Sequence, residues 1–246
     1  MSTPMSGTPA TSPALSSAMP RATPQAAVIP AAAPQRWVTD APMRMFHWLF
    51  ALSFVGAYLS AESERWRVLH VSLGYAFAAL LGLRVVYGLL GPRPARLGVL
   101  LRKLQVARGW AQACLTPAVM SAAHWRQAQN LAMAWAVAAL LVMVLPLVLS
   151  GHASYNDWGD AWGWVGEAIE ELHEGLGEAY LAVVLAHLGL LLSLSVLRRK
   201  NQALPMLTGR LSGPGANLVA HQRHWLAAAV LLAYAGLLVW LLMWPV

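Results

Sequence analysis

The stretch HEGLGEAYLAVVLAHLGL, residues 173–190, decides how this chain is read. Two histidines, His173 and His187, lie fourteen residues apart in a helical run that is apolar beyond Glu174 and Glu178. At roughly 100° per residue that step falls ~40° short of four full turns, and at ~1.5 Å rise it covers about 21 Å. One helix face therefore presents two imidazoles at two depths. Ionisable side chains inside so apolar a run are costly, which makes each a functional candidate.

Composition places that helix in a membrane. Of 246 residues, 58% are hydrophobic and only 11% are charged, where a soluble domain carries about 25% charged residues. Five runs approach the ~20 apolar residues that cross a bilayer core: residues 43–61, 68–90, 129–150, 174–197 and 225–245. The expected fold is all-α, a four-helix membrane bundle with a fifth, C-terminal span. Gly91-Pro92 ends the second run, and Pro146 is expected to kink the last turn of the third.

The connections differ in charge. Arg93, Arg96, Arg102, Lys103, Arg108 and Arg126 lie between the second and third runs, with no acid among them. Arg198, Arg199, Lys200, Arg210 and Arg223 follow the fourth. The loop between the third and fourth runs holds Asp157, Asp160, Glu167, Glu170 and Glu171 and no base. The positive-inside rule puts the basic loops and the N-terminus on the cytoplasmic side and the acidic loop and C-terminus outside, in the periplasm if the cell is Gram-negative. The net charge of +7 thus reads as topology and lipid-headgroup contact rather than nucleic-acid binding. Residues 1–36, with seven prolines and few large apolar side chains, read as a disordered tail without a signal-peptide core. Residues 37–210 form the expected bundle, with residues 92–128 as a cytoplasmic loop whose part from Val99 to about Met120 lies along the headgroups. Residues 211–246 are the linker and fifth span.

Two further histidines complete the pattern. His47 lies one turn into the first span near its cytoplasmic end, and His70 opens the second near the outer face. Antiparallel neighbours pair by depth, His47 with His187 and His70 with His173. Two imidazoles at each depth suit the axial positions of six-coordinate haem iron, whereas zinc takes four ligands, or three and a water. The single cysteine, Cys114, excludes paired-cysteine attachment of haem and a disulfide framework. Each histidine alone is also compatible with a hydrogen-bonded packing role; the pairing carries the reading. Gly56, Gly74, Gly177 and Gly189 would let a flat macrocycle approach, though small residues also serve helix packing. Arg84 lies fourteen residues after His70, on the same face and level with the inner site, where a propionate would satisfy it. Arg44, Arg65 and Arg67 are similar candidates, or snorkel to phosphates. His124, His221 and His224 sit beside arginines, and His152 opens the acidic loop; His152 and His224 stay as alternative ligands or quinone contacts.

The runs DAPMRMFHW, GAYLSAESERWRVLHVSLGYAFAALLGLRVVYG and LHEGLGEAYLAVVLAHLGLLLSLSVLRRKNQALPMLTGR resemble the bacterial cytochrome b561 and nickel–iron hydrogenase cytochrome b family over about residues 37–210. The Arg44-to-Trp48 start of the first span and the paired histidines of the fourth are its most specific parts. The resemblance implies a haem-binding bundle relaying electrons between membrane quinone and a soluble or peripheral partner. It implies two haem b groups, one on His47 and His187 and one on His70 and His173. The long tail and the fifth span lie outside the family core.

The expected function is a transmembrane electron relay between quinone and a periplasmic partner. The acidic loop with Trp158, Trp162 and Trp164 would dock a basic c-type cytochrome. The alternatives are a haem-bearing anchor subunit of a hydrogenase or dehydrogenase, and a haem-free transporter or assembly factor.

Overall fold

The computed structural model describes Ser2, residues 34–114 and residues 122–244. The tail up to residue 33, Ser2 apart, and the interfacial segment past Cys114 lie outside the described residues. The chain runs β1 (Gln35–Trp37), α1 (Ala41–Ser60), α2 (Arg67–Leu90), α3 (Leu97–Cys114), α4 (Ala122–Tyr155), α5 (Trp164–Leu197), α6 (Leu204–Leu207), β2 (Arg210–Ser212) and α7 (His224–Met243). The fold is all-α apart from one short antiparallel pair, in which Arg36 faces Leu211.

Local chemistry explains the boundaries. Asp40 caps α1, its side chain accepting from the Met43 amide at 3.2 Å, with Pro42 in the first turn, where a missing amide costs nothing. At Gly91 the amide closes α2 onto the Tyr87 carbonyl at 2.8 Å before Pro92 stops it. α4 and α5 are longer than their apolar cores: α4 continues through Pro146 to Tyr155, and α5 starts at Trp164. His173 is therefore well inside α5 and not at its start. After α5, the Val38 and Thr39 amides donate to the Gly209 carbonyl at 2.9 and 3.2 Å. Gly209 has φ 78, and a Cβ there would stand 2.7 Å from the Thr39 carbonyl oxygen, so only glycine fits.

Among the described residues, four helical stretches are long and apolar enough to cross a bilayer: Glu64–Leu90, Trp125–Tyr155, Trp164–Leu197 and His224–Met243. The fifth expected span, α1, has 20 residues, but Arg44 and His47 dilute its first half. Leu59, Leu90 and Leu232 are 78%, 80% and 72% exposed, a pattern that lipid tolerates and water does not. α1 packs on α2 and α7, α2 also on α4 and α7, and α3 and α5 on α4.

Two buried clusters fill the interior. Phe46, Leu49, Leu80, Tyr87 and Val230 form one, towards the basic loops. Phe54, Phe77, Val144, Leu147 and Tyr180 form the other, towards the acidic loop, and Phe50 touches both. α5 reaches α1 and α2 through side chains: Tyr180 stacks at 4.7 Å from Phe54 and 5.7 Å from Phe77, and the Tyr58 hydroxyl donates to Glu178 at 2.9 Å. That side-chain spacing leaves room along α5.

Candidate functional site

At the acidic-loop end, α2 and α5 bring His70 and His173 face to face. Their ring centroids are 6.0 Å apart and the planes nearly perpendicular, at 88°. Each ring is held from behind. His70 Nδ1 lies 2.9 Å from the Ala57 carbonyl of α1. His173 Nδ1 lies 3.1 Å from the Leu147 carbonyl and 3.2 Å from Ser150 Oγ, both on α4. A carbonyl only accepts, so Nδ1 carries the proton in both rings and the Nε2 lone pair is left for a ligand. This is the arrangement that metal-bound imidazoles use to fix their tautomer.

A cavity of about 610 Å³ opens around this pair, bounded by α1, α2, α4 and α5. His70, His173, His152, Tyr75, Gly74 and Gly177 are among its walls. A Cβ at Gly74 or Gly177 would meet nothing within 4 Å, whereas one at Gly151 would stand 2.6 Å from His173 Cε1. The first two glycines thus border open space, and the third is the flat seat of the His173 ring. His152 Nδ1 lies 2.7 Å from the Tyr75 hydroxyl and 3.1 Å from Asn156 Nδ2.

The basic-loop end is built differently. His47 and His187 are partly buried. Both Nδ1 atoms are buried without a hydrogen-bond partner among the described residues, as is one terminal nitrogen of Arg84. Arg84 is 9% exposed, and burying a cation without an anion is costly. Beside it, the 1% exposed carboxylate of Asp40 accepts a short bond from the Tyr87 hydroxyl and pairs with Arg223 at 3.6 Å. Arg44 instead turns to the segment after α5, donating to the Leu207 carbonyl at 3.3 Å and Gln222 Oε1 at 3.5 Å. Trp48 Nε1 donates to the neighbouring Met206 carbonyl at 3.2 Å.

The donor set fits a cofactor that brings its own equatorial ligands. Among the described residues no three His, Cys, Asp or Glu side chains form a metal-holding group. What they offer is two imidazoles about one gap, with a roomy wall of glycine beside it. Tyr180, seven residues from each α5 histidine, separates the two ends.

The structure brings His70 and His173 together. Arg65 stacks over Trp66 at 5.6 Å, and Arg67 lies 5.6 Å over Tyr155 and 4.0 Å from Glu64; only Arg67 lines the cavity. His224 merely opens α7. His152 belongs to α4 and the cavity wall, not to the loop. Sequence reading missed Ser150, Gly151 and Tyr75, whose roles arise across helices and leave no local signal. It also missed Asp40, although an Asp before Ala-Pro at a helix start is a capping signature.

A search of curated proteins and one of solved structures found no match. A family model described as prokaryotic cytochrome b561 matches residues 38–209, from just before the cap of α1 to the turn after α6. That match takes in all four paired histidines and the cavity, and the chain belongs to the prokaryotic cytochrome b561 family.

Proposed function

We infer that this chain works as a membrane electron-transfer cytochrome b, for which membership of the family implies haem b. We propose that it carries two such haems, one between His70 and His173 and one between His47 and His187. The observation that carries the reading is the His70–His173 pair, 6.0 Å apart with both Nδ1 atoms committed to hydrogen bonds. Held by these histidines, a haem would supply one-electron chemistry. The protein's part is to aim four Nε2 atoms, to keep Gly74 and Gly177 out of the macrocycle's way, and to set Arg84 as the counter-ion of a propionate at the basic end.

Charge supports the orientation. The basic loops and N-terminus face the cytoplasm of a bacterial inner membrane, and the acidic loop faces the periplasm. Electrons pass between the quinone pool and a redox partner. Glu170, Glu171 and the exposed Trp158, Trp162 and Trp164 suit a basic c-type cytochrome at the outer face. The test is a pyridine haemochrome assay on purified protein. Two haems b per chain are expected; none, with no Soret or α band, sinks the reading.

A further inference from the structure

We propose that the C-terminal segment beyond the family match is a working part of the basic end: Arg223, just before α7, holds Asp40 and so keeps Arg84 free for an anion. This rests on the two-haem reading above and deepens it. Arg223 is then a positioning residue, acting through Arg84.

The family model ends at residue 209, yet the segment after it is built into the interior. The Leu218 amide donates to the Trp37 carbonyl at 2.8 Å, and the Ala41 amide to the Gln222 carbonyl at 3.1 Å. Val230 is buried with Phe46, Leu49, Leu80 and Tyr87. The Tyr234 and Ser53 hydroxyls lie 2.8 Å apart. Apolar contact and hydrogen bonds thus fix α7 against α1 and α2 before any charge is counted.

The charges are then unevenly shared. Asp40 accepts from the Met43 amide through Oδ1, and its Oδ2 meets both the Tyr87 hydroxyl and Arg223. Arg84 stands three residues before Tyr87, on the same side of α2. It is as deeply buried as Tyr87, and its Nη1 has no hydrogen-bond partner among the described residues. A Cβ at Gly88 would stand 2.8 Å from that nitrogen, so glycine there gives the guanidinium its room. A buried carboxylate left without a cation draws in the nearest one, and Arg84 is one helical turn from the residue that binds Asp40. Arg223 meets that demand at a lower desolvation cost, because its side chain is 35% exposed. Its backbone is left-handed, with φ 48, a conformation glycine or asparagine adopts more easily. The ion pair to Asp40 offsets that strain.

The experiment counts haem by pyridine haemochrome in purified full-length protein, in wild type and in His173→Ala, which keeps only the basic-end site. In the His173→Ala background, Arg223→Met should lower the haem count about twofold or more, because the unpaired Asp40 draws Arg84 away. Adding Asp40→Asn should restore it, since asparagine keeps the α1 cap and needs no cation. Tyr234→Phe, which loosens α7 without changing charge, should leave the count as it was. No loss in Arg223→Met, a loss that Asp40→Asn does not restore, or an equal loss in Tyr234→Phe overturns the proposal. If Arg223→Met does not fold, the combined Asp40→Asn and Arg223→Met variant decides. It should fold and hold the basic-end haem, and failure in either respect overturns the proposal. A wild-type count other than two refutes the underlying two-haem reading instead, so the two failures are distinguishable.

Discussion

The two ends of the bundle hold the same kind of ligand by opposite means. At the acidic end, the histidine rings are oriented by hydrogen bonds from helices that carry neither ligand: α1 through Ala57, and α4 through Leu147 and Ser150. At the basic end neither ring's Nδ1 has such a bond among the described residues. The surroundings are fixed instead by an ionic knot joining the start of α1, the end of α2 and the start of α7 through Asp40, Tyr87 and Arg223. The comparison teaches that a site can be preorganised ring by ring or through its frame. The first kind is sensitive to single backbone contacts, and the second to charge removal at a distance.

Removing a ligand is the largest test of this difference. His173→Ala should halve the haem content while His47 and His187 keep theirs; loss of both haems, or of neither, breaks the assignment of separate ends. Next in size is Asp40→Ala. It deletes the α1 cap and leaves Arg223 and the Tyr87 hydroxyl without their carboxylate, a cost on the order of 3 kcal/mol. Thermal unfolding in detergent should drop clearly, with the basic-end haem lost first on heating. An unchanged melting temperature would contradict the frame.

Gly151→Ala probes the ring-by-ring end. The added Cβ would stand 2.6 Å from His173 Cε1 and 3.0 Å from its Nδ1, so the ring must shift away from the Leu147 carbonyl. Partial loss of the acidic-end haem and a displaced α band are expected, with the basic-end spectrum intact. The smallest effect on the polypeptide is expected from Gly74→Ala, whose Cβ meets nothing within 4 Å. Without haem the helix should gain a few tenths to about 1 kcal/mol. With haem, affinity at the acidic end should fall, because the methyl enters space that the macrocycle needs. Equal stabilisation of both forms would place the macrocycle elsewhere.

The helical register, the charge asymmetry of the loops and the approach of His70 to His173 were legible in the residues. They follow from a 3.6-residue period and the exclusion of charge from lipid, which are local and one-dimensional. Helix ends were less legible. α4 and α5 outrun their apolar cores because helical hydrogen bonding continues past the lipid boundary wherever neighbours still pack. Reading α1 as a span rested on length alone, and Arg44 and His47 keep it below the apolarity of the other four. Gln35 and Arg36, read as the end of the tail, pair with β2, a partner some 175 residues away that no local pattern announces.

Sequence alone thus determined where along each helix the candidate ligands fall, because that depends only on position along one helix. Tertiary structure decided how each is held. Whether Nδ1 of a histidine meets a carbonyl, or Gly151 seats a ring, or Asp40 reaches Arg223, depends on how separate helices dock. Docking is set by packing among side chains far apart in the chain.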